Sequence, residues 1–267
     1  MALYSGEIAA ERIEVVHRAI AIRHLPDAFH GFRIAQISDI HLDQYTPPGL
    51  VERVVFQTNA LAPDLVLLTG DFVSRGPLPL RLSREDAYRC GDLLRPLTCS
   101  LRYACLGNHD ASVGSDVVVD GLAKGGITTL VDSHVPIERG GQRLWLGGLN
   151  DPGSSGGNLD LTLPNQPDGP VILMMHEPDF TDEFLAQPKG KFIDLILAGH
   201  SHGGQIRLPL LGPLILPLNG RKYVEGLFHF GSAQLYVNRG IGTVSLPYRL
   251  NCPPEITLMT LQPREPV

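Results

Sequence analysis

Residues 101–110 read LRYACLGNHD. An apolar run of strand length stops at Gly107, and Asn108, His109 and Asp110 follow at once. The same shape recurs on either side. RIAQIS (33–38) gives way to Asp39-Ile40-His41, LVLLTG (65–70) to Asp71, VILMM (171–175) to His176, and LILAG (195–199) to His200-Ser201-His202. Short apolar runs bounded by turn residues read as buried strands. Helical spacing lies between the first three. VERVVFQTNALA (51–62) ends before Pro63, and SREDAYRCGDLLRPL (83–97) takes Ser83 with Asp86 as its start, after a loop with Gly76, Pro77 and Pro79. Strand, loop and helix in repetition predict an α/β fold with a mostly buried sheet.

The rest of the chain fits around that frame. RIEVVHRAIAIRH (12–24) reads as extended, with a turn over 25–31. LWLGGL (144–149), QLYVNRG (234–240) and EITLMTLQ (255–262) read as strands joined by Gly- and Pro-rich loops. No repeat or linker breaks the chain. The expectation is a single domain over 1–267 with two sheets flanked by helices: an N-terminal extended segment at 1–31, chemistry-bearing motifs at 39–202, and an apolar loop at 208–218.

Five predicted strands therefore deliver Asp, His and Asn at their carboxyl ends, the edge at which α/β sheets bind ligands. Carboxylate, imidazole and amide oxygen together suit borderline divalent ions such as manganese, iron(II) or zinc. Asp39, His41, Asp71, Asn108, His176, His200 and His202 make seven ligands, too many for one ion. Two ions sharing a carboxylate, ~3.5–4 Å apart, use all seven and clamp an in-line displacement at phosphorus. By composition D-x-H is expected about 0.6 times, so alone it means nothing, and a second copy stands at Asp132-Ser133-His134. G-H-x-H is expected roughly 0.04 times and G-N-H-D roughly 0.002 times. Those two carry the weaker motifs. His17, His24, His30, His134 and His229 read as ordinary surface or packing residues, and Gly91-Asp92 as part of a helix.

Composition narrows the class. Hydrophobic residues at 43% and charged residues at 19% exclude a disordered or fibrous chain. A net charge of −6 gives no basic field for nucleic acid, so no nucleic-acid partner is expected. No run of ~20 apolar residues predicts a membrane span. Met1–Gly6 has neither a basic nor an apolar leader segment, so no export signal is expected in the chain as it stands, and cytoplasmic, membrane-associated and exported locations stay open. Cys90, Cys99, Cys105 and Cys252 lack metal-site spacing and read as free thiols, although a Cys90–Cys99 bridge is open.

The order D-x-H, G-D, G-N-H-D, H, G-H-x-H resembles the calcineurin-like metallophosphoesterase family, with all five blocks present between 39 and 202. ISDIHL, GHSHGGQIRLP and the tail VNRGIGTVSLPYRLNCPPEITLMTL are similar to a bacterial branch of exported or membrane-associated phosphodiesterases, some of them UDP-2,3-diacylglucosamine hydrolases. The resemblance implies a four-layer α/β/β/α sandwich of two mixed sheets. It implies one metal on Asp39, His41, Asp71 and His202, and another on Asp71, Asn108, His176 and His200, with Asp71 bridging. It implies His109 as a catalytic acid or phosphate contact, with Asp110 orienting it. The activity implied is dinuclear, metal-dependent phosphodiester or pyrophosphate hydrolysis by metal-activated hydroxide. The alternatives are a phosphomonoesterase and a metal-binding scaffold of the same fold.

The substrate side is thinner. Residues 208–218 read LPLLGPLILPL, without a charge or a polar side chain. One reading is buried packing. The other is an apolar lip for acyl chains or a bilayer, giving a lipid-linked substrate and peripheral membrane contact through 208–218, with Arg207, Arg221 and Lys222 facing lipid phosphates. Arg207 and Arg239 are the candidate substrate-phosphate contacts.

Overall fold

The computed structural model describes residues 12–75 and 80–264; residues 1–11 and the predicted loop at 76–79 lie outside them. In chain order, β1 (Glu14–Ile22) precedes β2 (Arg33–Ile37), α1 (Pro48–Leu61), β3 (Leu65–Thr69), α2 (Leu80–Leu94), β4 (Arg102–Cys105), α3 (Asn108–Val113), α4 (Ser115–Lys124) and β5 (Thr128–Thr129). Then come β6 (Ser133–Arg139), β7 (Gln142–Gly148), α5 (Pro152–Ser155), α6 (Leu159–Thr162), β8 (Val171–Met174), α7 (Thr181–Ala186) and β9 (Ile193–Ala198). The short hairpin β10 (Arg207–Leu208) and β11 (Gly212–Pro213) leads to β12 (Gly226–Phe230), β13 (Ala233–Val237) and β14 (Glu255–Pro263).

Two mixed six-stranded sheets result. One runs β1-β14-β2-β3-β4-β5 and the other β12-β13-β9-β8-β7-β6. Their centres are parallel: β2, β3 and β4 in the first, β7, β8, β9 and β13 in the second. Side-chain alternation explains why these strands read as unbroken apolar runs. Leu65 and Leu67 face the second sheet in a shared core with Ile172, Met174, Leu195 and Leu197. Val66 and Leu68 face the opposite way, onto Val51 and Val54 of α1 and Cys90 and Leu94 of α2. In the second sheet Leu173, Ile196 and Leu235 pack outward with Leu159 of α6 and Phe184 of α7. Strands buried on both faces need apolar residues at every position, and the layers are helix, sheet, sheet, helix.

The differences from expectation are local. α2 begins at Leu80, so Ser83 lies buried within it instead of at its start. It stops at Leu94, two residues before Pro96, which cannot continue a helix. As their spacing predicts, all four cysteines are free, and Cys90, Cys105 and Cys252 are buried. The segment 208–218 is not packed inside. Leu210, Leu211, Ile215 and Leu218 are each at least 70% exposed, because a two-residue hairpin carries their side chains away from both sheets. Among the described residues no helix is long and apolar enough to cross a membrane.

Candidate metal centre

Both sheets end their parallel strands on one edge, and the polar residues meet there. β2 is followed by Asp39 and His41, β3 by Asp71, β4 by Asn108 and His109, β8 by His176, and β9 by His200 and His202. The structure brings them into three overlapping groups: Asp39, His41 and His202; His41, Asp71 and His109; and Asp71, His176 and His200. In each group one ligand atom per residue lies within 4.8 Å of the others. Asp71 Oδ2 is 3.4 Å from His41 Nε2 and 3.1 Å from His176 Nε2. Asp39 Oδ1 is 3.4 Å from His202 Nε2.

Backbone contacts hold the cage from behind. Asp110 accepts from the amides of Asp71 (2.8 Å), Phe72 (2.9 Å) and Gly107 (3.0 Å), which locks the Asp71 loop to the start of α3. Its carboxylate is therefore occupied by main chain and does not orient His109, contrary to the expectation from sequence. The Arg75 amide does that, donating to His109 Nδ1 at 3.1 Å, so the His109 proton resides on Nε2. The glycines of the two rare motifs make room for the carboxylates. A Cβ on Gly107 would stand 2.2 Å from Asp71 Oδ1, and one on Gly199 would stand 2.3 Å from Asp39 Oδ2.

The ring nitrogens facing away from the centre are tied. His176 Nδ1 donates to Thr69 O (2.7 Å) and His200 Nε2 to Leu218 O (2.7 Å), which turns the opposite nitrogens toward the centre; against burial, the Asp71 carboxylate holds His176 well above the ordinary imidazole value. His41 Nδ1 meets Ser74 Oγ at 3.0 Å. Behind His202 lies Arg249, fully buried, with Nη2 3.2 Å from Nδ1 and its guanidinium on the carbonyls of Arg239, Gly242 and Cys252. None of Ser74, Arg249 or the two carbonyls was singled out from sequence. The one charged residue within VSLPYRLNCPP, Arg249, was the available signal.

Burial lowers His41 and His202 well below the ordinary imidazole value, and burial with His176 takes His200 down to about 4, so these rings are neutral donors. Burial pushes Asp39 up to about 6 and Asp110, with the Asp71 charge beside it, up to about 8. Burial would raise Asp71 too, but His176 holds it well below the carboxylate range. Positive charge is thus in demand at the centre. One atom marks where it belongs: Asn108 Oδ1 is buried and makes no hydrogen bond. Carboxylates, neutral imidazoles and an orphaned amide oxygen fit a divalent cation.

Other expected residues fall elsewhere. Arg239 Nε is bonded to Glu255 and Nη2 lies 2.8 Å from Glu14, while Arg207 is 2.6 Å from Glu225. Both guanidinium groups are spent on carboxylates and neither lines the cleft, which corrects their assignment as phosphate contacts. Asp132 accepts from the amides of Asn150 and Asn158, and His134 packs edge-on against Trp145, so the second D-x-H serves a turn. The cleft over the centre is about 340 Å³. Its floor is His41, Asp71, Asn108, His109, His200 and His202, and its walls are Ile206, Leu214, Ile215, Pro217, Val244 and Leu246.

A cation cage gathered from two facing sheets, opening on a substrate-sized cleft, defines a metal-dependent hydrolase. A family model described as calcineurin-like phosphoesterase matches residues 32–204. The chain belongs to that family, whose members are metal-dependent phosphoester hydrolases. It is 33% identical to an uncharacterized metallophosphoesterase, YkuE, of Bacillus subtilis over 97% of this chain and 89% of that protein. It is 33% identical to the phosphodiesterase YaeI of Escherichia coli over 86% and 82%. It is 30% identical to the UDP-2,3-diacylglucosamine pyrophosphatase LpxG of Chlamydia muridarum over 88% and 86%. Among solved structures, the NAD nucleotidase NadN of Haemophilus influenzae shares the fold, with a TM-score of 0.54 at 16% identity over 79% of this chain and 45% of that one.

Proposed function

We propose that the chain hydrolyses phosphodiesters or pyrophosphates with two divalent ions, and that its substrate carries an apolar group. The observation that carries the two-ion reading is Asp71 Oδ2, poised between His41 Nε2 and His176 Nε2. Asp39, His41 and His202 form one group beside it and His176 and His200 join it in another, and Asn108, whose Oδ1 has no partner, is assigned to the second. Manganese, iron(II) and zinc all suit the donor set. When bound, such ions supply Lewis acidity toward a phosphoryl oxygen and lower the pKa of water. Asp71 Oδ1 accepts from the His109 amide at 2.9 Å, which fixes that histidine relative to the cage. His109 is half-exposed at the cleft and, with its proton on Nε2, donates a hydrogen bond to a phosphoryl or departing oxygen, while the proton for the alkoxide comes from the imidazolium form or from solvent.

The walls favour a diester. Neither Arg nor Lys is among the described residues that line the cleft, so a monoester's second charge gains nothing from them. An apolar substituent gains Leu214, Ile215 and Pro217, which continue outward into the exposed leucines of the β10–β11 hairpin. A lipid-linked substrate reached through peripheral membrane contact at 208–218 follows from this continuity, and LpxG is a relative whose substrate bears acyl chains. Rates on bis(4-nitrophenyl) phosphate, 4-nitrophenyl phosphate and UDP-2,3-diacylglucosamine test the reading. The diester and the lipid-linked pyrophosphate turn over faster than the monoester, and chelation abolishes all three. A monoester preference makes the chain a phosphomonoesterase. Leu211→Ser with Leu214→Ser lowers turnover of the lipid-linked substrate more than that of the small diester; equal loss contradicts the lip.

A further inference from the structure

Gln205 stands between the motif that supplies His200 and His202 and the β10–β11 hairpin, and it lines the cleft. Its side chain is fully engaged with one short stretch of backbone. Oε1 accepts from the Val244 amide at 2.8 Å, and Nε2 donates to the carbonyls of Val244 at 3.2 Å and Leu246 at 2.9 Å. Its own carbonyl accepts from the Leu250 amide at 3.0 Å. The stretch it holds has no helix or strand of its own, and Ser245 sits in the left-handed region at φ +63. Val244 and Leu246 line the same cleft as Leu214, Ile215 and Pro217. Inside the stretch the Leu246 amide donates to Val244 O at 2.7 Å, and the Gln205 side chain satisfies the Val244 amide and the Val244 and Leu246 carbonyls, so the loop depends on that side chain for its position.

We infer that Gln205 is a positioning residue for substrate selection: it pins the 244–246 wall at a fixed distance from the hairpin wall, and so sets the width of the apolar slot beside the metal centre. This rests on the reading of an apolar substrate. Gln205 touches no reacting atom. Its amide matches one donor and two acceptors at once, which neither Leu nor Glu of similar length can do. Leu offers no partner, and Glu sets an oxygen against two carbonyls.

The test uses full-length, Mn²⁺-loaded protein as wild type, Gln205→Leu and Gln205→Glu. KM and kcat are measured on bis(4-nitrophenyl) phosphate and on a phosphodiester with a dodecyl chain, with Mn²⁺ stoichiometry and amide hydrogen exchange read in parallel. In both variants KM for the chained diester rises about tenfold more than KM for the small one, the loss expected from one or two hydrogen bonds. Exchange rises at Val244 in Gln205→Leu, which removes its acceptor, and at the neighbouring amides in both variants, while Mn²⁺ stoichiometry holds. An unchanged KM ratio, unchanged exchange at Val244, or Mn²⁺ lost in step with activity overturns the inference. Should Gln205→Leu not fold, Gln205→Glu decides. If wild type itself treats both diesters alike, the apolar-substrate reading and the selection role built on it both fail, and exchange at Val244 then tells whether Gln205 at least holds the wall.

Discussion

Five of the seven cage residues, Asp39, His41, Asp71, His200 and His202, have positive φ, from +48 to +70. For L-residues this conformation costs about 1–3 kcal/mol each and persists only where the surroundings enforce it. Here the loops brace one another, with the Asp39 amide on Gly70 O and the His41 amide on Asp71 O. The cage is therefore built at the expense of stability, and Asp39→Asn measures part of that expense. Asn tolerates this backbone and carries no buried charge. Because the folded pKa of Asp39 lies at about 6, above its unfolded value near 3.8, its contribution to stability is lost as pH rises through that window. Metal-free Asp39→Asn is thus more stable than metal-free wild type by on the order of 2 kcal/mol at pH 8, and the gap closes on acidification toward pH 4, read by urea unfolding. His109→Ala keeps both ions and loses about 10²–10⁴ in turnover, measured with elemental analysis alongside; loss of both ions would refute its role. That Asp39, His41, Asp71, His176, His200 and His202 come together was legible because chemical type and spacing coincide. The carbonyls that fix their tautomers were not, since Thr69 and Leu218 contribute main chain. Arg207 and Arg239 misled because their carboxylate partners Glu14, Glu225 and Glu255 are far away in sequence.

At the scale of elements, buried central strands were readable and edges were not. β6 and β12 are half-exposed edge strands, β6 holds Pro136, and neither has the unbroken apolar run of β3 or β9. Gly91-Asp92 sits in α2, and Gly91 has a packing purpose: a Cβ there would stand 1.9 Å from Gly121 O of α4. The obstacle is backbone, so the helices must part. Gly91→Ala therefore lowers stability by about 3 kcal/mol or more, seen as a lower urea midpoint despite the better helix propensity of alanine. For the hairpin the sequence left two readings open, and the exposed one holds. LPLLGPLILPL is apolar enough for a core, and only the brevity of β10 and β11 leaves it at the surface.

For the whole molecule, the order of the motifs along the chain matters less than their division between sheets. Asp39, His41, Asp71 and Asn108 follow strands of the first sheet, and His176, His200 and His202 follow strands of the second. A cation that binds between them favours only the folded arrangement, so Mn²⁺ at a hundredfold its dissociation constant is expected to add about 2.7 kcal/mol, and chelation to lower the melting temperature accordingly. The two-ion cage itself is tested most directly by anomalous scattering from a crystal soaked in Mn²⁺. The account predicts two peaks ~3.5–4 Å apart, both in contact with the carboxylate of Asp71. A single peak, or a pair that Asp71 does not bridge, contradicts it.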